Sequence, residues 1–163
     1  MGCGKSYIGK RLAKKLGWSF IDLDEYLEKK EGQLIRKIFQ SEGESYFRKK
    51  EKEYVREMNQ FENTIIATGG GTPCFFENGD WMNKNGITIY LQTPVKVIFK
   101  HLKKGRNNRP LLRGFNDYEL QEFIKKKLEE REIFYQNVHL VYERQEGGDE
   151  VVKELADYFS MFK

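Results

Sequence analysis

A glycine-rich segment at the start of the chain restricts what the remaining residues can fold into. Residues 2–6 read Gly-Cys-Gly-Lys-Ser, the closing part of the phosphate-binding pattern G-x-x-x-x-G-K-[ST]. Its glycines let consecutive backbone N–H groups turn inward around phosphate oxygens, while Lys5 would reach the β- and γ-phosphates and Ser6 would bind Mg²⁺. The pattern stands between a strand and a helix, so the segment predicts an α/β fold with a phosphate site.

The chain begins inside this pattern, because the first glycine and the strand leading into the loop would both fall before Met1. We therefore expect Met1 to be an internal methionine of a longer protein, with the first strand of the sheet upstream of it. For this fragment taken alone, the alternative is a glycine-rich tail without a phosphate site.

Length and composition favour one soluble domain spanning residues 1–163. We find no apolar run of membrane-spanning length and no signal peptide, and we therefore expect a cytoplasmic protein. The cysteines, Cys3 and Cys74, show neither metal-ligand spacing nor a disulfide framework. Net charge is +4, but the basic residues alternate with glutamates, as in residues 49–53. That alternation is typical of a solvated helix face rather than of a nucleic-acid surface.

Hydrophobic periodicity predicts helices and strands in alternation, which indicates a mainly parallel sheet. The longest predicted helix covers residues 118–136, and residues 74–86 are predicted as a covering loop with a helical turn. The other predicted helices cover 6–16, 34–39, 45–58, 95–102 and 152–162, and the predicted strands cover 19–24, 64–68, 87–91 and 138–142.

Two aspartates, Asp22 and Asp24, end the first predicted strand. Ligands of parallel α/β sheets bind outside the carboxyl ends of the strands, so both carboxylates are placed for chemistry. For either aspartate taken alone, a helix N-cap is an equally good interpretation, because a helical segment follows at Glu25.

Two further segments carry groups that suit an anionic ligand. Arg48 and Glu51 share the inward face of the 45–58 helix and can pair at i, i+3, although an ordinary surface ion pair remains the alternative. The run Gly69-Gly70-Gly71 follows a strand of buried type. A simple turn needs fewer glycines, so this run indicates close approach of a ligand to backbone N–H donors.

Near the end of the chain, a basic, proline-containing segment at about 103–116 predicts a mobile lid that closes over phosphates. Its alternative is an exposed basic loop without a role. On the 118–136 helix, Arg131 falls on the buried stripe, where a guanidinium needs an anionic partner. A bound substrate anion or a neighbouring glutamate would supply it.

Together these segments resemble the shikimate kinase family. The resemblance rests on six motifs in family order and spacing: GCGKS (2–6), FIDLD (20–24), GESYFRKKE (43–51), TGGG (68–71), RPLL (109–112) and EREIFY (130–135). It covers the chain to about Tyr135. The family's adenine-side motif is not clear around residues 143–148.

The resemblance implies a three-layer P-loop kinase fold with a five-stranded parallel sheet, and phosphorylation of the shikimate 3-hydroxyl by ATP with Mg²⁺ in a monomeric enzyme. It implies catalytic roles for Lys5, Asp24 and Arg109, metal binding by Ser6 and Asp22, and shikimate binding by Asp24, Arg48, Gly70 and Arg131. ATP would be held by Gly2, Cys3, Gly4, Lys5, Ser6, Tyr7 and Arg109. Tyr7 departs from the family's usual threonine, which matters little if the position contributes backbone.

Two other functions fit the same residues. One is another small-metabolite kinase of this fold, such as a gluconate kinase, because a carboxylate clamp would look similar. The other is a non-catalytic module that binds nucleotides or nucleic acid.

Overall fold

The computed structural model describes residues 2–104, 114–144 and 148–161. Nine α-helices and four strands lie in the described part of the chain. In chain order they are α1 (Lys5–Leu16), β1 (Ser19–Asp22), α2 (Leu23–Glu31), α3 (Ile35–Ser41), α4 (Gly43–Glu57), β2 (Thr64–Ala67), α5 (Asn78–Asn85), β3 (Ile89–Gln92), α6 (Val95–Lys104), α7 (Asp117–Glu129), α8 (Glu132–Gln136), β4 (Leu140–Glu143) and α9 (Asp149–Ser160). Short 3₁₀ helices cover Met58–Gln60 and Thr72–Cys74.

The strands form two parallel pairs, β1 with β2 and β3 with β4. In the first pair Ser19 lies opposite Thr64, and in the second Ile89 lies opposite Leu140. The predicted parallel pairing of neighbouring strands is therefore confirmed for these two pairs.

Helices cover both faces of the strands. On one face α1 and α9 form a core that includes Ile8 and Leu155, and Ile65 of β2 packs against it. On the other face α2, α3 and α4 form a second core, against which the next residue, Ile66, packs. This alternation follows from the two-residue period of a strand. A third cluster joins α6 to α7 beside the sheet.

A cavity of about 720 Å³, here called the central cavity, lies between β2 and β3. Its walls include Ile65 and Ile66 of β2 and Ile89 and Leu91 of β3. These residues are only half-buried, whereas strands inside a parallel sheet are normally covered on both faces and paired on both edges. Cys3 and Lys5 of the glycine-rich segment at the start of the chain also contribute to the lining of the cavity.

Three predicted elements differ most from the structure. The first strand stops at Asp22, because Asp22 caps α2 and the chain turns helical at once. The predicted 118–136 helix is broken at Arg131 into α7 and α8, and residues 74–86 contain the complete helix α5. Most of the predicted lid, residues 105–113, lies outside the described residues.

None of the helices in the described ranges is both long enough and apolar enough to cross a membrane.

Candidate active site

The phosphate loop, residues 2–6, has the backbone conformation that its glycines predict. Gly2 and Gly4 have φ angles of 75° and 86°, in the left-handed region that other residues rarely adopt. A Cβ at Gly2 would also lie 2.9 Å from the Leu102 side chain, so a larger residue would force that side chain or the loop to shift. Helix α1 begins at Lys5, which places its positive end directly after the loop.

Ser6 and Asp22 bring two side-chain oxygens together at the start of α1. The Ser6 hydroxyl donates a hydrogen bond to Oδ2 of Asp22 over 2.5 Å. The other carboxylate oxygen accepts a bond from the backbone N–H of Asp24 over 3.1 Å, so Asp22 is the N-cap of α2 as well. Oxygen-only ligands fit Mg²⁺, which typically takes one or two protein oxygens and fills its shell with phosphates and waters. Among the described residues there is no group of three or more His, Cys, Asp or Glu side chains that could hold a metal ion.

Asp24 lies in the first turn of α2, not at the end of the strand as predicted, and its carboxyl lies near Gly69. Burial of its carboxyl by surrounding atoms raises its pKa above the ordinary value, and the negative charge of Asp22 raises it further, while Lys5 partly offsets both. A carboxyl with a raised pKa close to a lysine is suited to accept a proton.

The predicted pair between Arg48 and Glu51 is present, and it is not an ordinary surface pair. Nη1 of Arg48 donates to Oε2 of Glu51 over 2.8 Å, and only 2% of the Glu51 side chain is exposed. The hydroxyl of Thr72 donates to the second Glu51 oxygen over 2.6 Å. The guanidinium also lies over the Phe75 ring at 4.1 Å and is therefore held in one orientation.

The glycine run 69–71 lies where Cβ atoms would collide with site side chains. A Cβ at Gly71 would stand 2.8 Å from the Arg48 guanidinium, and one at Gly69 would stand 3.2 Å from Oδ1 of Asp24. Between them, the carbonyl of Gly70 accepts a 2.6 Å hydrogen bond from the Tyr135 hydroxyl. The backbone of this run therefore passes between the side chains that the sequence assigned to the substrate.

Arg131 lies at the break between α7 and α8, half-buried, rather than on the stripe of one long helix. Burial raises the pKa of the Tyr135 hydroxyl, and a hydrogen bond from Arg131 partly offsets that shift. Burial also raises the pKa of the Cys74 thiol, while the charges of Arg131 and Arg48 lower it. Both guanidinium groups therefore lie within electrostatic range of the same thiol.

The structure thus brings most of the predicted site residues to one edge of the strands. Arg109 lies outside the described residues. The side chain of Tyr7 is exposed and hydrogen-bonded to Arg11, as expected if the position contributes backbone. The sequence did not predict the contacts of Thr72 with Glu51 and of Tyr135 with Gly70. Two features could have indicated them, because Thr72 directly follows the glycine run and Tyr135 is the last residue of the last motif.

A glycine-rich loop with its lysine, the Ser6–Asp22 oxygen pair, a carboxyl with a raised pKa and two arginines near one thiol are the parts expected of a P-loop phosphotransferase for a small anionic acceptor. The family model for shikimate kinase matches residues 1–159. The chain belongs to the shikimate kinase family, whose members phosphorylate shikimate with ATP.

Relatives and solved structures agree with this family. The chain is 42% identical to the shikimate kinase of Bacteroides fragilis over 142 residues, which is 87% of this chain and 79% of the relative. It is also similar to a crystal structure of shikimate kinase from Bacteroides thetaiotaomicron, with a TM-score of 0.92, 36% identity, and coverage of 98% of this chain and 94% of the other. A structure of shikimate kinase from Acinetobacter baumannii in complex with shikimate gives a TM-score of 0.87 at 31% identity, covering 100% and 90%.

We expect Glu51→Gln to lower the free energy of unfolding by about 2 kcal/mol, because the substitution removes a buried charge that accepts two hydrogen bonds. For a chain of this size the thermal midpoint should fall by roughly 4–8 °C. Glu53→Gln, on the same helix, removes an exposed partner of Lys50 and should shift the midpoint by no more than about 2 °C. Equal midpoints for the two variants would contradict the structural role given to Glu51.

Proposed function

We propose that the chain transfers the γ-phosphoryl group of ATP to the 3-hydroxyl of shikimate, with the residues below in the roles given. The observation that supports this assignment is that Arg48 and Arg131 both act on the Cys74 thiol, while the side chains of Arg48 and Asp24 lie against Gly71 and Gly69 of one glycine run. Shikimate presents a carboxylate and hydroxyl groups. The two guanidinium groups can bind the carboxylate, and the Asp24 carboxyl can act as the base for a hydroxyl. We also propose that the enzyme acts in the cytoplasm as a monomer.

At the nucleotide side, the backbone N–H groups of the phosphate loop cradle the ATP phosphates, and Lys5 stabilises the negative charge that develops on the transferring group. The family also implies Mg²⁺, and the Ser6 hydroxyl together with the Asp22 carboxylate would hold it, Asp22 through water. There the ion would neutralise phosphate charge. In our proposal Arg109, which lies outside the described residues, reaches the same phosphates.

At the acceptor side, a planar carboxylate fits between two guanidinium forks. Arg48 is held by Glu51, so it is already oriented before the substrate arrives, and little entropy is lost on binding. The N–H of Gly70 would supply a third donor to the carboxylate. The Tyr135 hydroxyl donates a hydrogen bond to the carbonyl of Gly70, which holds this stretch of backbone in place.

The chemical step needs one proton acceptor. Asp24 hydrogen-bonds the substrate hydroxyls. It takes the proton of the 3-hydroxyl while the oxygen of that hydroxyl forms the bond to the γ-phosphorus. The bond from that phosphorus to the β–γ bridging oxygen breaks, and ADP leaves. The products are shikimate 3-phosphate, ADP and a proton, so the step is balanced.

The position of transfer is tested by the product. Mass spectrometry should show the addition of one phosphate to shikimate, and phosphorus–proton NMR correlations should connect that phosphate to the 3-position. Phosphate on another hydroxyl would contradict the orientation set by the carboxylate pocket and Asp24.

We further propose that the competent fold has a five-stranded parallel sheet, with a fifth strand in the central cavity. The cavity supports this, because strands lie about 4.8 Å apart and one strand between β2 and β3 would pair with both free edges. Its apolar walls suit residues such as valine and isoleucine. Because Cys3 and Lys5 line the cavity, a segment placed directly before Gly2 can reach it.

Adding five apolar, β-branched residues before Gly2 should therefore raise the thermal midpoint by about 10 °C, since their side chains would fill an apolar cavity. A matched segment of five alternating serines and glycines should give no such rise. Equal midpoints for the two extended forms would contradict the fifth strand.

A further inference from the structure

Two consecutive carbonyl groups of the phosphate loop are held by side chains from distant parts of the chain. Nδ1 of His101, on α6, lies 2.8 Å from the carbonyl oxygen of Gly2. A carbonyl oxygen only accepts, so this ring nitrogen carries the proton. Nη1 of Arg144, which directly follows β4, donates to the carbonyl oxygen of Cys3. Neither contact is predicted by the local sequence pattern.

Arg144 is a charged residue with only 7% of its surface exposed. Its backbone N–H donates to the carbonyl of Gln92 over 2.8 Å, which fixes it to the end of β3. A Cβ at Gly4 would lie 2.9 Å from its guanidinium, so the side chain lies directly against the loop. Arginine is rarely buried to this extent, and removing it from water is costly unless its charge and hydrogen bonds are used.

The geometry of the peptide bond explains what these contacts do. In a trans peptide the C=O of one residue and the N–H of the next point in opposite directions within one plane. Holding the Gly2 carbonyl from outside therefore turns the N–H of Cys3 the other way, and holding the Cys3 carbonyl does the same for the N–H of Gly4. A loop that binds phosphate needs its N–H groups turned inward before the ligand arrives.

We propose that His101 and Arg144 are positioning residues that hold the phosphate loop in its nucleotide-binding conformation, an inference that rests on the proposed use of ATP. Arg144 also adds a buried positive charge against a loop that receives a polyanion. Both act through the backbone of the loop, so their effect falls on nucleotide affinity and not on the acceptor pocket formed by Arg48 and Arg131.

The test is calorimetric binding of MgATP, without acceptor, to Arg144→Met, His101→Ala and the control Lys153→Met, which removes an exposed charge on α9. Loss of a charged hydrogen bond should raise Kd for MgATP about tenfold in Arg144→Met, and loss of a weaker one about threefold in His101→Ala. Arg144→Lys should recover part of the affinity. The control should bind as the parent does, and KM for shikimate should stay within about twofold in every variant.

Unchanged Kd values in both Arg144→Met and His101→Ala would overturn the proposal. A rise in KM for shikimate as large as the rise in Kd for MgATP would also overturn it. Should Arg144→Met fail to fold, His101→Ala still decides, because its side chain is exposed and its loss leaves the core intact. Binding without acceptor also separates this proposal from the function itself. A chain that binds ATP with the expected losses but never phosphorylates shikimate would sustain the positioning roles and contradict only the acceptor.

Discussion

Replacing Asp24 by asparagine is expected to lower kcat by about 10³-fold, since the variant keeps the shape of the site but loses its proton acceptor. Binding of MgATP should remain largely intact, because the phosphate loop and the Ser6–Asp22 contact do not depend on the Asp24 carboxyl. Steady-state kinetics with a nucleotide titration separates the two effects. Full activity in the variant would contradict the role given to Asp24.

The pH dependence of kcat/KM tests the role of the Asp24 carboxyl independently. A base acts only when deprotonated, so kcat/KM should fall as the pH drops through the pKa of Asp24, which burial and Asp22 raise above the ordinary aspartate range. A raised pKa in the folded state stabilises the fold at low pH, and that stabilisation is lost as the pH rises through it. Asp24→Asn should therefore be no less stable than the parent at neutral pH, which excludes unfolding as the cause of lost activity.

Replacing Arg131 by alanine is expected to raise KM for shikimate about 100-fold, since a half-buried carboxylate pocket would lose one of its two guanidinium groups. The effect on kcat should be much smaller, because the carboxylate does not change charge during transfer. Lys126→Ala removes an exposed charge from α7 and serves as the control. An unchanged KM in Arg131→Ala would show that Arg131 does not bind the acceptor.

Local patterns predicted the parts of this structure that depend on local physics. The helix after the phosphate loop begins within one residue of its predicted start, and the i, i+3 spacing was enough to predict the Arg48–Glu51 contact. The carboxyl ends of parallel strands meet at one edge, which was enough to place Asp22 beside the loop.

Other parts had no local signal. No glycine or proline marks the break at Arg131, where the N–H of this residue bonds to the carbonyl of Leu128, three residues back, as in a 3₁₀ turn. The contacts of His101 with Gly2 and of Arg144 with Cys3 join residues 99 and 141 positions apart. Side-chain contacts over such separations depend on how whole elements pack, and one sequence contains no pattern for them.

The measurement that tests the proposed function most directly is ADP release from MgATP with shikimate, with gluconate and with no acceptor. It should be made on this chain and on the form with five apolar residues before Gly2. We expect ADP release to depend on shikimate and not on gluconate, and to be faster in the extended form. Release that follows gluconate, or no acceptor-dependent release in either form while both are folded and bind MgATP, would contradict phosphorylation of shikimate by this chain.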